Sequence, residues 1–258
     1  MRAEHSQQLN AANLAPRLSL AYKTGANSQV SLAYGQFFQQ PEPMFLWGRD
    51  PLGFEKAAHY IFNYQWITDD QTFRVELYQK DYDALVKQEG LNYNNGGFGH
   101  AKGIDVFWRD KALLPALDYW LSYSLLDAER LYRDYPTAAT PTFTTRHTLN
   151  LVANYRTNPR TRVGLSYTFA SGRPYFNPNN ENFLSDRTQA YHNLNLNASY
   201  LTSISGNFTV LYISFRNPFQ FEQVLGYTYS DDGEFRIAKQ PASDWSIFAG
   251  VSISFEDR

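Results

Sequence analysis

The sequence of 258 residues predicts an all-β protein, an antiparallel transmembrane β-barrel with about eleven strands. Three observations predict this fold class: apolar and polar residues alternate from end to end, rings recur at strand ends, and short gaps between strands alternate with long ones. Phe, Trp and Tyr make up 17% of the residues, yet mean hydropathy is −0.49. Such a composition is typical of a barrel that carries rings outside and keeps a polar lumen.

The period-two runs predict strands along the whole chain, because successive side chains of a strand point to opposite faces. No segment predicts a convincing helix, since Gly90 and the Asn/Gly residues after it favour a loop over a helix at 83–91. The predicted strands are 16–23, 29–38, 57–67, 72–79, 101–109, 116–125, 146–155, 162–169, 190–200, 207–216 and 245–255.

The gaps between these strands alternate in length. Short polar breaks lie at 24–27, 68–71, 110–115, 157–160 and 202–206. Long stretches rich in Gly, Pro, Asn and rings lie at 39–56, 80–100, 126–145, 170–189 and 217–244. Outer-membrane barrels have short turns at one rim and long loops at the other, whereas a β-sandwich has no reason to keep this order.

Strands that enter a short turn, and the last strand, end in an aromatic residue with apolar residues two and four positions earlier. Tyr and Trp rings prefer the level where hydrocarbon meets lipid headgroups. The sequence therefore predicts a membrane girdle of Tyr22, Trp66, Trp108, Tyr155, Tyr200 and Phe255. The strand at 207–216 is ambiguous, because its even-numbered and its odd-numbered residues both make an acceptable outward face.

Strand parity predicts a longer barrel. Eleven antiparallel strands leave the first and last strands running in the same direction, and single-chain bacterial barrels have even strand counts. Residues 1–4 look like the tail of a preceding strand, with 5–15 as its long loop. We therefore expect residues 1–258 to be the C-terminal half of a barrel of about 22 strands, a size class with a plugged lumen.

Charged residues on the face opposite the rings predict contacts inside the barrel. They are Arg74, Glu76, Asp105, Arg109 and Asp118. Charges on an inner wall need water or partners, and in a plugged barrel the plug supplies both. The hypothesis is that these residues contact the plug, and the alternative is a network of charges paired within the wall.

Many short segments together resemble the C-terminal barrel half of TonB-dependent outer-membrane receptors. They cover nearly the whole chain: PRLSLAYK, VSLAYGQFFQQPE, ELYQKDYDALV, GHAKGIDVFWRDK, TTRHTLNLVANYR, VGLSYTFASGRPYF, YHNLNLNASYL, LGYTYSDDG and FAGVSISFEDR. The resemblance implies residence in the outer membrane and import of a large, scarce ligand such as an iron chelate, cobalamin or an oligosaccharide. It also implies three partners: the lipid bilayer, an N-terminal plug with the other barrel half, and TonB acting through that plug.

The sequence departs from the family pattern in several places. It shows no plug domain, no TonB-contacting box and no signal peptide. Its last ring, Phe255, is followed by Glu256, Asp257 and Arg258, whereas the family usually ends on the aromatic residue. We expect that the chain does not transport on its own.

No catalytic or metal-binding chemistry is expected, so the protein is predicted not to be an enzyme and to need no cofactor. Loop carboxylates are usually solvated, the five histidines are not at metal-ligand spacing, and no GxSxG sequence occurs. The net charge of −2 gives no reason to expect nucleic acid as a partner.

Rings in the long loops are candidates for ligand binding, because exposed rings can stack on sugars or chelates. The candidates are Trp47, Tyr93, Tyr175 and Phe176, although loop rings more often hold loops against each other. Two other functions stay open: a smaller porin or adhesin barrel in which residues 1–15 supply a twelfth strand, and a secreted sugar-binding or hydrolytic β-sandwich.

Overall fold

The computed structural model describes residues 1–47 and 51–255. The departures from the family pattern at residues 256–258 lie outside the described residues. Strands dominate the described part, with one short helix, α1 (Pro43–Leu46). The strands are β1 (Arg2–Ser6), β2 (Ala11–Ala15), β3 (Arg17–Lys23), β4 (Ser28–Gln39), β5 (Glu55–Ile67), β6 (Gln71–Glu89), β7 (Asn92–Asp110), β8 (Leu117–Leu131), β9 (His147–Asn158), β10 (Thr161–Ala170), β11 (Tyr191–Ile204), β12 (Asn207–Arg216), β13 (Gly226–Tyr229), β14 (Arg236–Lys239) and β15 (Ser246–Ser254).

Eleven strands form one antiparallel sheet, which confirms the predicted fold class. Neighbours in the sheet follow chain order from β3 to β12, and β15 pairs with β12. Each of the eleven predicted runs overlaps one of these strands. Short turns join β3 to β4, β5 to β6, β7 to β8, β9 to β10 and β11 to β12, so they all lie at one rim of the sheet.

The sheet has one mainly apolar face and one mainly polar face, because most of its cross-strand pairs join like with like; Phe107 and Trp120 are exceptions, opposite Arg74 and Arg109 on the polar face. Leu165 of β10, for example, lies opposite Leu196 of β11, while the next residue, Ser166, lies opposite Asn195. The same register resolves the ambiguity in β12. Ile213 lies opposite Ala198 of β11, so the odd-numbered residues of β12 belong to the apolar face.

β6 and β7 are much longer than the sequence predicted, and the predicted loop at 80–100 is wrong. Both strands have 19 residues and meet in a tight turn at Gly90, whose φ is +64°. The hydrophobic alternation fades after Leu77 because both faces become polar, yet backbone pairing continues as far as Glu89 opposite Asn92. A register shift near Ala84, whose φ is +56°, bends the hairpin without ending it.

Two short hairpins flank the main sheet. β1 and β2 pair around a turn, so the predicted long loop at 5–15 is mostly strand. Pro16 separates β2 from β3, and its carbonyl oxygen accepts a hydrogen bond from the amide of Gln36 in β4. Because proline lacks an amide hydrogen, it interrupts the ladder while the chain continues in the same direction. β13 and β14 form the second hairpin, inside the loop between β12 and β15.

The sheet packs against no second layer within the described residues, so a β-sandwich is excluded. Many apolar-face side chains are exposed, among them Leu20 at 67% and Val251 at 63%. Buried apolar residues instead form two small clusters, one around Phe45, Leu52 and Val86 and one around Tyr135, Ala139 and Leu184. In the described part of the chain, no helix is long and apolar enough to cross a membrane.

Candidate functional site

The predicted girdle residues all lie on the apolar face or its continuation, near the short-turn rim. Tyr22 is 69% exposed and Phe255 77% exposed. Trp66 and Trp108 stack with their ring planes 11° apart, and Phe73 on the strand between them contacts Trp108. None of these rings is held between layers, so the arrangement is compatible with contact to lipid.

The girdle is inclined to the hydrogen-bonded rows of the sheet. We followed the paired residues from each girdle residue to the strand that carries the next one and counted how many residues further towards the short-turn rim the next girdle residue lies. The offset is two residues from Tyr22 to Trp66, zero from Trp66 to Trp108, four from Trp108 to Tyr155, two from Tyr155 to Tyr200 and four from Tyr200 to Phe255. Over the ten steps from β3 to β15 this is a mean of about 1.2 residues per strand. At about 3.3 Å per residue and about 4.8 Å between strands, a level girdle requires strands tilted by about 40°, as in membrane barrels.

A second row of polar-tipped rings crosses the apolar face towards the long loops. It contains three pairs: Tyr34 with Tyr60, Tyr123 with His147, and Tyr167 with His192. In the last two pairs the tyrosine hydroxyl lies 2.8 Å from the histidine Nδ1. This row runs parallel to the girdle, because it lies six positions before a girdle residue on three strands. Tyr60 precedes Trp66 by six positions. The residue paired with Tyr123 precedes Tyr155 by six positions, and the residue of β11 paired with Tyr167 precedes Tyr200 by six. The two rows thus bound an apolar band about 20 Å long, measured along each strand.

The five predicted lumen charges lie on the polar face of β6, β7 and β8, and the structure joins only two of them. Arg109 and Asp118 form a bidentate ion pair, with Nε to Oδ1 at 3.0 Å and Nη2 to Oδ2 at 2.7 Å. Asp105 accepts a hydrogen bond from a serine hydroxyl and lies directly opposite Glu76, which places two like charges side by side. Among the described residues, Arg74 and Glu76 form no ion pair. Contact with a plug stays a prediction.

The polar face of β9 to β11 carries mainly amides and hydroxyls, with Arg156 and Arg162 opposite each other near the short-turn rim. Thr168 donates a hydrogen bond to Asn150 at 3.0 Å, and Asn195 donates one to Ser166 at 3.2 Å. The amide and hydroxyl residues on this polar face are Asn150, Asn154, Ser166, Thr168, Asn195, Asn197 and Ser199.

Three of the four ring candidates lie near solvent or in a small loop cluster. Trp47, just after α1, is 85% exposed, and Phe176 is 58% exposed. Tyr93 packs edge-on against Phe45, with ring centroids 5.3 Å apart, and so helps to hold α1 against the β6–β7 hairpin. Trp47 and Phe176 therefore offer ring faces to a ligand, and ligand binding at these residues stays a prediction.

The fourth candidate, Tyr175, joins two loops. Its side chain is 8% exposed and packs 4.7 Å from Tyr227 of β13. Its hydroxyl accepts a hydrogen bond from Nη1 of Arg236 at 3.2 Å, and this bond raises the pKa of Arg236. Little of the ring is left for a ligand, and its observed contacts lock the loop before β11 to the β13–β14 hairpin.

A cavity of about 560 Å³ lies at the long-loop end of β4 to β8. His59, Lys80 and Arg130 line it where the polar face of β5, β6 and β8 continues beyond the apolar band. Its lining also includes the rings Phe37, Phe38, Phe45, Tyr82 and Tyr132. We call this cavity the basic–aromatic pocket.

The basic–aromatic pocket has more positive than negative side chains. Its lining has four, Lys56, Lys80, Arg130 and Arg133, against Glu42 and Glu55. Both glutamates are engaged: Glu42 pairs with Arg133 at 2.6 Å, and Glu55 accepts the amide hydrogen of Val86 at 2.9 Å. The formal excess is therefore two positive charges with histidine neutral.

Arg130 and Lys80 are positioned by rings instead of carboxylates. The Arg130 guanidinium carbon lies 4.3 Å from the centroid of Tyr82, and Nζ of Lys80 lies 5.0 Å from that of Tyr78. Arg130 reaches Tyr82 across β7 at Gly99, where an added Cβ would lie 2.7 Å from Cγ of Arg130. In the part of the chain that the structure describes, neither cation has a carboxylate partner.

Sequence reasoning missed this pocket because the predicted strands stopped short of it. The signal that could have found it is the alternation of Lys80 and Tyr82, which continues the polar face of β6 into the supposed loop. Across residues 1–47 and 51–255, no three His, Asp or Glu side chains are grouped so as to hold a metal ion.

The sequence profile of the family described as TonB dependent receptor-like, beta-barrel matches residues 1–217. The chain belongs to the TonB-dependent receptor family. This family is one of outer-membrane receptors and transporters and is not an enzyme family. In transmembrane barrels the apolar face of the sheet contacts lipid and the polar face lines the lumen.

Solved TonB-dependent receptors have the same fold at low sequence identity. The ferric-catecholate import receptor Fiu of Escherichia coli K12, in its closed form, gives a TM-score of 0.71 at 14% identity over 95% of this chain. The siderophore receptor PiuA of Acinetobacter baumannii gives 0.73 at 12% identity over 95%, and the ferric yersiniabactin uptake receptor FyuA of Yersinia pestis gives 0.74 at 14% over 95%.

The chain spans only part of these relatives: 35% of Fiu, 36% of PiuA and 38% of FyuA. A search of curated protein sequences finds no match.

Proposed function

We propose that this chain is the C-terminal barrel region of a receptor that takes up an iron chelate across the outer membrane, using energy delivered by TonB. Residues 1–258 supply one side of the barrel wall, and the plug and the other strands come from further polypeptide. The names of Fiu, PiuA and FyuA, which refer to catecholates, siderophores and yersiniabactin, support an iron chelate over cobalamin or an oligosaccharide.

The observation that carries the proposal is the inclined apolar band on one face of the sheet, opposite a polar face. Strands in hydrocarbon must pair all their backbone groups, which only a closed barrel achieves. A tilt of about 40° matches membrane barrels. The wall then separates lipid from a hydrated lumen through which a chelate can pass.

Unpaired lumen charges are the proposed contacts of the plug. Arg74, Glu76 and Asp105 lack ion-pair partners among the described residues and face the lumen. A positively charged surface on the plug would offset the repulsion between Glu76 and Asp105, which lie directly opposite each other. Arg109 and Asp118 already neutralise each other in the wall and so offer the plug less charge.

Uptake of iron-55 chelates by iron-starved cells that carry the receptor tests the proposal. We expect uptake that disappears when TonB is deleted and returns when it is restored. Uptake that continues without TonB would instead identify a passive porin. A receptor that moves cobalamin or a labelled oligosaccharide but no iron chelate would contradict the proposed ligand.

The plug contacts have their own test in the same receptor. Glu76→Gln together with Asp105→Asn should change uptake or plug retention, because both remove a carboxylate while preserving size. Asn154→Asp, which adds a charge to the polar face of β9, is the matched control for altered wall charge. Uptake that is unchanged in the double variant would count against plug contact at these positions.

A further inference from the structure

We propose that a short turn directly after β12, residues 217–221, anchors the last long loop in the lipid headgroup region of the outer leaflet. We call this segment, whose sequence is NPFQF, the phenylalanine turn. Its partner is the lipid surface at the long-loop end of the apolar band. The inference rests on the proposed function, because it requires that the apolar face of the sheet meets lipid.

Asn217 holds the phenylalanine turn in one shape. Its φ of +49° lies in the left-handed region, which asparagine tolerates better than most residues, and its amide donates to the carbonyl oxygen of Leu194 on β11 at 2.6 Å. Its side chain is fully buried. Oδ1 accepts the amide hydrogen of Phe221 at 3.0 Å, and Nδ2 donates to the carbonyl oxygens of Phe221 and Asp244 at 2.8 and 3.0 Å. The chain therefore turns back at Asn217 instead of continuing β12.

The phenylalanine turn lies on the apolar side of the sheet. The ring of Phe221 lies 5.6 Å from that of His192, whose Nδ1 is 2.8 Å from the hydroxyl of Tyr167. Tyr167 and His192 are one of the three pairs in the second ring row, which marks the long-loop end of the apolar band. Gln223 donates a hydrogen bond to the carbonyl oxygen of His192 at 3.3 Å and fixes this placement. The turn thus extends the ring row onto the loop.

The turn presents an apolar ring at its centre. Phe219 is 68% exposed, and its ring centroid lies 6.0 Å from that of Phe221. Exposed apolar surface costs about 25 cal/mol for each Å² in water. A ring inserted at the boundary between headgroups and acyl chains, about 5–10 Å deep, avoids much of this cost. A rigid turn that holds such a ring beside the lipid-side ring row is therefore suited to a membrane interface.

The distribution of charge also favours lipid as the partner. Residues 217–221 contain no charged side chain. The charged residues on either side bind to the loop itself: Nη2 of Arg216 donates to the carbonyl oxygen of Ser243 at 2.7 Å, and Glu222 accepts a hydrogen bond from Gln240 at 2.9 Å. Trp245, which follows the Asn217 partner Asp244, is a further half-exposed ring, and tryptophan prefers the membrane interface.

Spin labels on single-cysteine variants of the full receptor, in vesicles of phosphatidylcholine, test the inference. This chain has no cysteine, and any cysteine in the rest of the receptor is first replaced by serine. Collisions of the label with oxygen, which concentrates in hydrocarbon, and with a water-soluble nickel chelate report what surrounds each position. The reference variants are Val251→Cys for lipid, Leu91→Cys for water and Val86→Cys for a protein interior.

The label of Phe219→Cys should collide often with oxygen and rarely with nickel. We expect its ratio of oxygen to nickel collisions to exceed that of Leu91→Cys at least about fivefold, because an anchored residue lies below the headgroups. Frequent collision with nickel would place the turn in water. Low rates with both reagents, as in Val86→Cys, would show that another protein segment covers it. Either of these two results overturns the inference.

Asn217→Asp tests whether the buried amide positions the turn. A carboxylate cannot donate to the two carbonyl oxygens that Asn217 binds, so the label at position 219 should collide with nickel at least about threefold more often. Asn207→Asp is the matched control, because it makes the same change at the other end of β12, and it should leave the label unaffected. A label that keeps its lipid signature in Asn217→Asp would overturn the role of Asn217. Heat-dependent gel migration shows that each barrel is intact.

The reference label at Val251 separates this inference from the proposed function. Lipid contact at Val251 with water or protein around Phe219 overturns the anchor alone and leaves the proposed uptake in place. Frequent nickel collisions at Val251 would contradict a lipid-facing apolar band and so overturn the proposed function as well.

Discussion

The polar face of β5 to β8 and that of β9 to β11 belong to one sheet but differ in chemistry. The first carries the Arg109–Asp118 ion pair, the facing carboxylates and, at its long-loop end, the basic–aromatic pocket. The second carries asparagines, serines and threonines, some of which bond to one another, with Arg156 opposite Arg162 near the short-turn rim. The apolar faces of the same two regions are alike.

The difference teaches which face is constrained by the membrane and which by the ligand or plug. Lipid imposes the same requirement on every strand, so apolar residues recur at each crossing. The lumen side has no such uniform solvent, and each region of wall can adopt the chemistry of what it meets. The contrast between the charged part and the amide-rich part of the polar face is therefore not a requirement of the fold.

The largest expected effect compares the two faces of one strand. Leu165→Lys places a charge in the middle of the apolar band of β10 and should destabilise the barrel by about 2–4 kcal/mol. Ser166→Lys, on the polar face, should cost less than about 1 kcal/mol, since the side chain meets water. Guanidinium unfolding in lipid vesicles measures both variants. Equal costs would contradict the assignment of the faces.

A second comparison uses a glycine on each wall. An added Cβ at Gly103 meets the backbone oxygen of Leu125, which cannot move away, so Gly103→Ala should cost about 1–3 kcal/mol. At Gly164 the nearest atoms are the amide ends of Asn197, 2.7 Å away, which can rotate, and the cost should stay below about 1 kcal/mol. Unfolding midpoints in the same vesicles rank the two variants, and the reverse order would refute the explanation.

The two regions of the polar face should also differ in how salt changes the stability lost on mutation, and this effect is smaller than the two above. Asp118→Asn should lower stability by at most about 1 kcal/mol, because the side chains of Arg109 and Asp118 are 42% and 36% exposed and solvent screens their attraction. That loss should shrink in 1 M salt. Thr168→Val, which removes the neutral hydrogen bond to Asn150, should show a loss that salt does not change. A salt-sensitive loss at Thr168 would contradict the description of this hydrogen bond as a neutral interaction.

The loops above the two walls should respond to opposite ends of the pH scale. Burial raises the pKa of Tyr135, in the loop after β8, to about 12, so its contribution is present below the ordinary value near 10 and is lost as pH rises towards 12. In the β13–β14 turn, hydrogen bonds from Ser230 and a backbone amide lower the pKa of Asp232. Its contribution is present above the ordinary value near 4 and is lost as pH falls below it.

Protease nicking of each loop as a function of pH measures these effects. Cleavage after β8 should rise at alkaline pH, and Tyr135→Phe should remove the rise because it removes the titrating hydroxyl. Cleavage between β13 and β14 should rise at acid pH, and Asp232→Asn should remove that dependence. A loop whose cleavage keeps the same pH profile in its variant would refute the assigned group.

The sequence was sufficient to predict the fold and the apolar face because lipid contact repeats on every strand. It was insufficient for β12, where both the even-numbered and the odd-numbered residues could form the apolar face. Only the pairing of Ile213 with Ala198 shows that the odd-numbered residues form it. It was also insufficient for the upper half of β6, where both faces are polar and only the alternation of Lys80 and Tyr82 continues the pattern.

Loop chemistry was the least predictable part. Tyr175 and Phe176 are neighbouring rings in the sequence, yet one is 8% exposed and the other 58%. Nothing local distinguishes them, because the partners of Tyr175 lie more than fifty residues away in another loop. The basic–aromatic pocket was missed for a related reason: Arg130 meets Tyr82 only through the pairing of three strands.

The inclined girdle has a consequence for how such walls change in length. Each strand added to the sheet displaces the ring row by about 1.2 residues, so a duplicated hairpin brings its neighbours out of level with the bilayer unless it contains its own step of two or three residues. An inserted hairpin with strands of the usual length but without this shift of two or three residues would place the girdle rings of its neighbours in the hydrocarbon region instead of at the headgroup level. A level ring row therefore requires that the offsets of all hairpins together match the mean slope.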